Sequence, residues 1–201
     1  MRRFVCCLAV LAAIAALPAF ADINNGAFAG YSGGFETVYA PDTATITGWS
    51  VTSGSVDWIG NYWQDPSGTS NSIDLDGNSP GIMGQFDSFV IGQEYLLTFW
   101  LAGNPDGLPT VKTVNVTAGT SSHGFTFDTT GHDKTDMGWT KESLLFTGEA
   151  STTIAFASGD LGSPYGPAIG AVSASAVPEP AAILLMGTLL LGLAGALKRR
   201  A

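Results

Sequence analysis

Nine consecutive residues, Glu94 to Ala102, do most to limit what this chain can become. Extended, they place Tyr95, Leu97, Phe99 and Leu101 on one face and Leu96, Thr98, Trp100 and Ala102 on the other. A strand that is apolar on both sides is predicted to lie inside a sheet, covered above and below. No part of residues 22–177 shows a sustained helical period. Short alternations of apolar and polar residues recur instead between Gly, Pro, Asn and Asp clusters. They predict strands over 23–28, 43–51 (interrupted at Gly48), 55–59, 72–75, 82–89, 94–102, 111–118, 124–127, 139–147, 152–157 and 168–174. The segments 30–34, 60–68, 103–107 and 163–167 read as loops. So many short strands point to an all-β jelly-roll sandwich, in which two packed sheets leave few exposed edges.

Two apolar runs bracket this body. Arg2 and Arg3 precede the run Phe4 to Leu17, and Pro18 is followed by Ala19-Phe20-Ala21. Charge, apolar core and small-x-small site in that order predict a signal peptide over 1–21, cleaved before Asp22. Both cysteines, Cys6 and Cys7, fall inside it. The exported body then has neither disulfide nor thiol nucleophile nor thiolate metal site, and its stability must come from packing. The span from Asp22 to Val177 holds three lysines against sixteen Asp and Glu, a formal charge of −13. Nucleic acid is excluded as a partner, because three lysines cannot assemble a phosphate-binding patch. The acidity suits either the solubility of an exported protein or cation-mediated adhesion.

At the other end, Val177-Pro178-Glu179-Pro180 leads into the uncharged run Ala181 to Leu197 and then Lys198-Arg199-Arg200. As a helix that run is ~25 Å long, at the short end of what spans a bilayer. The basic cluster would be held on the cytoplasmic side, leaving the body outside the inner membrane. Prolines bar the helix from extending backwards and keep the motif extended at the membrane surface.

Pro178, Glu179 and Pro180, the predicted membrane helix 181–197 and the basic end together resemble the PEP-CTERM sorting signal, which makes residues 177–201 a sorting segment. That resemblance implies an exosortase as partner, a membrane-embedded cysteine transpeptidase that cuts near the motif and releases or re-anchors the body. Over residues 23–175, the stretches Gly48-Trp49, Gly54 to Gly60, Tyr62-Trp63, Ser72 to Gly77, Leu101 to Gly107 and Gly166-Pro167-Ala168 resemble the choice-of-anchor C family of bacterial surface domains. This implies a galactose-binding-like sandwich over 22–176, similar to carbohydrate-binding modules, and no defined activity. Relatives in that family read Asn-Gly-x-Phe-Glu near the start and Pro-Ala-x-Asp-Asn-Val near the end. Here Asn25-Gly26-Ala27-Phe28-Ala29 and Pro167-Ala168-Ile169-Gly170-Ala171-Val172 each lack a carboxylate, which weakens the structural calcium such sandwiches often carry.

Asp57, Trp58, Tyr62 and Trp63 form the best ligand-binding candidate, with Asn61 and Gln64 beside them. Sugar rings stack their C–H faces on aromatics while Asp, Asn and Gln bond the hydroxyls. The alternative is that the aromatics plug the end of the sandwich, as in a purely structural matrix protein. Asp74-Leu75-Asp76-Gly77-Asn78 opens like an EF-hand loop, but Ser79 and Gln85 occupy the positions that need Gly and Glu, so an EF-hand is excluded. No metal or other cofactor is expected. A glycan-active hydrolase needs two placed carboxylates, and nothing singles out a pair among Asp57, Asp74 and Asp87. His123 and His132 have no metal-ligand or nucleophile-base spacing. The expectation is a non-catalytic protein, passing through an inner-membrane-tethered intermediate to the cell surface or extracellular matrix, with polysaccharide as its possible ligand.

Overall fold

The computed structural model describes residues 20–21, 23–66, 71–160 and 162–178. Residues 1–19 of the signal peptide expected over 1–21, and residues 179–201 of the sorting segment expected over 177–201, lie outside the described residues. The last two residues of the expected signal, Phe20 and Ala21, pair with the final strand. Among the described residues there is no helix, and so none long and apolar enough to cross a membrane. Phe20 to Val177 forms one compact unit. Its strands are β1 (Phe20–Ala21), β2 (Phe35–Tyr39), β3 (Ser50–Ser53), β4 (Ser55–Ile59), β5 (Ser72–Asp74), β6 (Ile82–Asp87), β7 (Glu94–Gly103), β8 (Val111–Ala118), β9 (Ser121–Asp128), β10 (Thr140–Thr147), β11 (Thr152–Ser158) and β12 (Pro167–Ala176).

These strands build an all-β sandwich. One sheet runs β10-β7-β12-β5-β4-β2, with β1 also on β12, and the other runs β3-β6-β11-β8-β9. Every pairing is antiparallel. The core lies between the sheets: Phe99 of β7 meets Phe125 and Phe156 of the second sheet edge-on, and Trp49 packs on Phe28 and Phe156. Edge-to-face packing suits rings whose faces are negative and whose edges are positive.

The strand expected at the centre sits between β10 and β12, paired on both sides. Its inner row, Tyr95 to Leu101, is buried, but Leu96, Thr98 and Trp100 on the outer row are only half-buried. Among the described residues no second layer of strands or helices covers that outer face. Loops cover its far end and leave the rest open.

Two expected strands are different structures. Residues 23–28 form a turn: the Phe28 amide donates to the Asn25 carbonyl, the Ala29 amide donates to Asn25 Oδ1, and Asn25 and Phe28 take positive φ. Gln85 and Trp49 bind the carbonyls and amides this turn exposes, which gives its backbone partners without a ladder. In 43–51 the Asp42 carboxylate accepts from the Ala44 and Thr45 amides, and that local turn delays the strand until Ser50. Conversely, β2 was not anticipated, although Phe35, Thr37 and Tyr39 alternate with Glu36 and Val38.

β12 shifts register between Gly170 and Ser173, where Ala171 adopts φ 46°. The Val172 amide there donates to Gly26, and a side chain at Gly26 would collide with the Val172 carbonyl at 1.9 Å. The bulge thus lets the last strand hold the first turn by its backbone.

Candidate functional site

The site grows from three strands in register. Thr37 of β2 lies opposite Asp57 of β4, and Asp57 lies opposite Asp74 of β5. The pleat puts all three on the outer face of the first sheet and turns Trp58 to the other side. Two residues along, Phe35, Ile59 and Ser72 form the next row on the same face.

Segment 60–66 then folds back over this face. Trp63 lies flat on it, 5 % exposed, donating from Nε1 to Ser72 Oγ at 2.8 Å. The segment is fastened to 134–139: the Gln64 amide donates to the Lys134 carbonyl, Met137 donates to Gln64 Oε1, and Trp139 Nε1 donates to the Gln64 carbonyl. Tyr62 stands at the rim, edge-on to Phe35 at 5.2 Å. Its hydroxyl donates to Asp106 Oδ2 at 2.7 Å and accepts from Lys134 Nζ at 2.8 Å, and Lys134 pairs with Asp106 at 2.8 Å.

The fold therefore separates the four residues singled out in the sequence. Asp57 and Tyr62 line one groove of about 230 Å³, together with Phe35, Asn78, Asn104, Asp106 and Tyr165. Trp63 is part of its wall but buried. Trp58 is 6 % exposed and faces the interior, stacking on Tyr31 and donating from Nε1 to the Phe28 carbonyl. Neither indole offers an open face to a ligand. Asn61 and Gln64 border a separate hollow on the other flank of the segment. The less buried tryptophans, Trp100 and Trp139, line a third groove of about 370 Å³ with Asp65 and Asp136. The sequence singled out neither as a ligand-binding residue. Their signal was weak: Trp100 stands on the less apolar row of β7.

Beneath the first groove lies a buried polar layer. Asp74 is sealed from water, and burial pushes its carboxyl well above the usual range despite donation from Asn104 Nδ2, the Asp76 amide and the Gly166 amide. Burial also raises Asp57, which accepts from Thr37 Oγ1 at 2.6 Å. Asp76 is pushed up to about 6, by burial first and then by the charge of Asp160. Neither Asp76 oxygen makes a hydrogen bond of good geometry, although Ser158 and the Gly81 amide lie near enough to favour the charged form. Lys112 is buried among these acids and donates from Nζ to the Gly107 and Tyr165 carbonyls; burial lowers it, and Asp160, Asp74 and Asp76 oppose that. At the rim, burial raises Asp106, but hydrogen bonds from Lys134 and Tyr62 outweigh it and hold the carboxyl below its usual value.

Asp74 is inaccessible and Asp106 is committed to Lys134 and Tyr62, which leaves Asp57 as the carboxylate free to meet a ligand hydroxyl. Among the described residues no group of three or more His, Cys, Asp or Glu is placed to hold a metal ion. His123 packs on Phe125 and His132 on Phe127.

No family model matches the chain. Over 88 residues it is 38 % identical to halomucin of Haloquadratum walsbyi, a match covering 41 % of this chain and 1 % of halomucin. The chain thus spans about a hundredth of that relative's length. Among solved structures it is similar to a CBM4 structure, at 15 % identity and TM-score 0.43, covering 78 % of this chain and all of the other. It is also similar to a family 35 carbohydrate-binding module from Clostridium thermocellum, at 12 % identity and TM-score 0.41, covering 70 % of this chain and 97 % of the module. A Stig cyclase, Fisc from Fischerella sp. TAU, has TM-score 0.44 at 14 % identity, covering 81 % of this chain and 99 % of that one. These likenesses are distant, and by themselves they assign no activity.

Proposed function

We propose that this chain is an exported, non-catalytic surface or matrix protein whose jelly-roll, galactose-binding-like body binds polysaccharide weakly in the groove lined by Phe35, Asp57 and Tyr62. The observation that carries this reading is the juxtaposition of two rim rings with Asp57 and the exposed Asn78 in one groove. The rings offer apolar surface to a sugar's C–H face, and the Asp57 carboxylate and Asn78 amide offer partners to its hydroxyls. The groove is small and open, which suits short contacts along a polymer. Affinity-gel electrophoresis of the 22–177 fragment tests it. Wild type is expected to be retarded on at least one polysaccharide gel, and Tyr62→Ala to lose about tenfold in affinity, roughly 1.4 kcal/mol. Equal mobility of wild type and Tyr62→Ala on every polysaccharide tried would sink the glycan reading.

The burial of Trp58 and Trp63, and the fastening of Tyr62 to Asp106 and Lys134, favour a second reading. In it the body is a structural matrix component without a small ligand, and the same gels show no retardation of wild type.

The export route is proposed on the sequence of both ends. The signal over 1–21 directs secretion, the run 181–197 tethers an inner-membrane intermediate, and an exosortase reads Pro178, Glu179 and Pro180. Mass spectrometry of the protein recovered from its host is expected to find Lys198 to Arg200 missing. Recovery of those residues from protein still in the cytoplasmic membrane would refute the sorting step.

A further inference from the structure

One end of the sandwich carries an apolar tip that neither the core nor the groove uses. In the loop after β6, Phe89 turns inward and packs edge-on against Tyr95 and Phe146. The next two side chains do not follow it: Val90 is 61 % exposed and Ile91 76 %. Phe86, one residue in from the end of β6, is 77 % exposed on the outer face of the second sheet, and Leu145 of β10 is 48 % exposed on the outer face of the first. The tip is held firmly. The Phe89 and Gly92 amides donate to the Glu149 and Gly148 carbonyls, the Val90 amide donates to Tyr95 Oη, and the Gly148 amide donates to the Gln93 carbonyl. A fixed loop that keeps large apolar side chains in water is a surface waiting for a cover.

The chain leaves the sandwich at this same end. The Val177 amide donates to the Glu94 carbonyl at 2.8 Å, and Gln93 Nε2 donates to the Val177 carbonyl at 2.7 Å. Gln93 is two residues from Ile91. From Val177 only Pro178, Glu179 and Pro180 precede the uncharged run that starts at Ala181, a reach of at most ~14 Å for extended chain. Where the run 181–197 enters a bilayer, the tip is therefore leashed within a few residues of the lipid surface.

We propose that Val90 and Ile91, flanked by Phe86 on one outer face and Leu145 on the other, form a docking surface for the interfacial layer of a bilayer and seat the body on the membrane while the tail is attached. The proposal rests on the tail being a membrane anchor. Glu94 and Glu149 stand exposed at the same end, so the surface suited to it is zwitterionic, and anionic headgroups repel it. Seating the body in this way also holds Pro178, Glu179 and Pro180 at the depth of the headgroups.

The test uses residues 22–201, the cysteine-free chain that cleavage before Asp22 leaves, reconstituted in phosphatidylcholine vesicles. An environment-sensitive dye is attached through Ile91→Cys, or through Thr126→Cys on the outer face of β9 as a control. Flotation with the vesicles reports the anchor, and the dye reports the tip. The expected result is flotation of both proteins, with a blue shift and quenching by bromolipid at position 91 only, reduced when phosphatidylglycerol is mixed in. In the unlabelled chain, Val90→Ser with Ile91→Ser should leave flotation and the thermal midpoint unchanged, and should render the chain exit at Val177 several-fold more open to protease on vesicles. Flotation with an unshifted dye at position 91 overturns the docking surface while sparing the anchor. Failure to float overturns the anchor and the docking surface with it. A blue shift without bromolipid quenching assigns the tip to a second copy of the chain and also overturns the proposal.

Discussion

Lowering the pH from 7.5 to 5 will make the body of this protein harder to unfold. The cause is the acidic layer under the groove. Burial pushes the Asp76 carboxyl up to about 6 from its ordinary 3.8, and Asp74, Asp57 and Asp160 are also raised, all chiefly by burial. Between those two values the folded chain holds protons that the unfolded chain has released. Stability therefore falls as pH rises through this window and recovers as pH falls. Asp76 is closed to water but bordered by polar groups, so its share between pH 7.5 and 5, discounted for screening, is about 1 kcal/mol. Below about pH 4 the trend must reverse. There Asp42 and Asp106, both held below their usual values by hydrogen bonds, take up protons and give up the stability those bonds supply. Urea unfolding at a series of pH values measures the curve. Asp76→Asn should flatten its neutral limb, and a monotonic loss of stability from pH 7.5 downward would show that the layer is hydrated and unstrained.

The second large effect separates support from recognition in the aromatic cluster. Trp58→Ala or Trp63→Ala should destabilise the body by about 3–5 kcal/mol, the range for removing a buried large aromatic. Trp63→Ala also leaves Ser72 Oγ without its donor, and Trp58→Ala removes the donor to the Phe28 carbonyl. Tyr62→Ala should cost far less stability, because the ring it removes stands at the rim and its hydroxyl partners, Asp106 and Lys134, keep each other. Denaturant midpoints alongside affinity gels give both numbers for each variant. A Trp63→Ala protein as stable as wild type but unable to bind would mean that this indole is an accessible platform, contrary to its position under segment 60–66.

The difference between the two tryptophans shows where local reasoning stops. Adjacent residues of a strand point to opposite faces, so Asp57 and Trp58 could never have shared a groove once β4 was assigned. That much was in the sequence. The burial of Trp63 was not, because it depends on Gln64 and Trp139 fastening a loop to a segment about 75 residues away. The same limit explains 23–28, where apolar residues wanted a strand but Asn25 supplied a tighter local bonding pattern.

From its residues alone the chain determined β4, β7, β8, β10, β11 and β12 nearly to their ends, because side-chain alternation is a property of neighbours and survives whatever the strand pairs with. It likewise determined a body without cysteine, closed by packing, between two apolar runs. Which faces stay open, which carboxylates lie side by side, and which rings reach water came from tertiary structure alone. Phe35, Asp57, Tyr62, Asn104 and Tyr165 are scattered over 131 residues of chain and meet because register and loop closure bring them together, and those depend on contacts that no local pattern records.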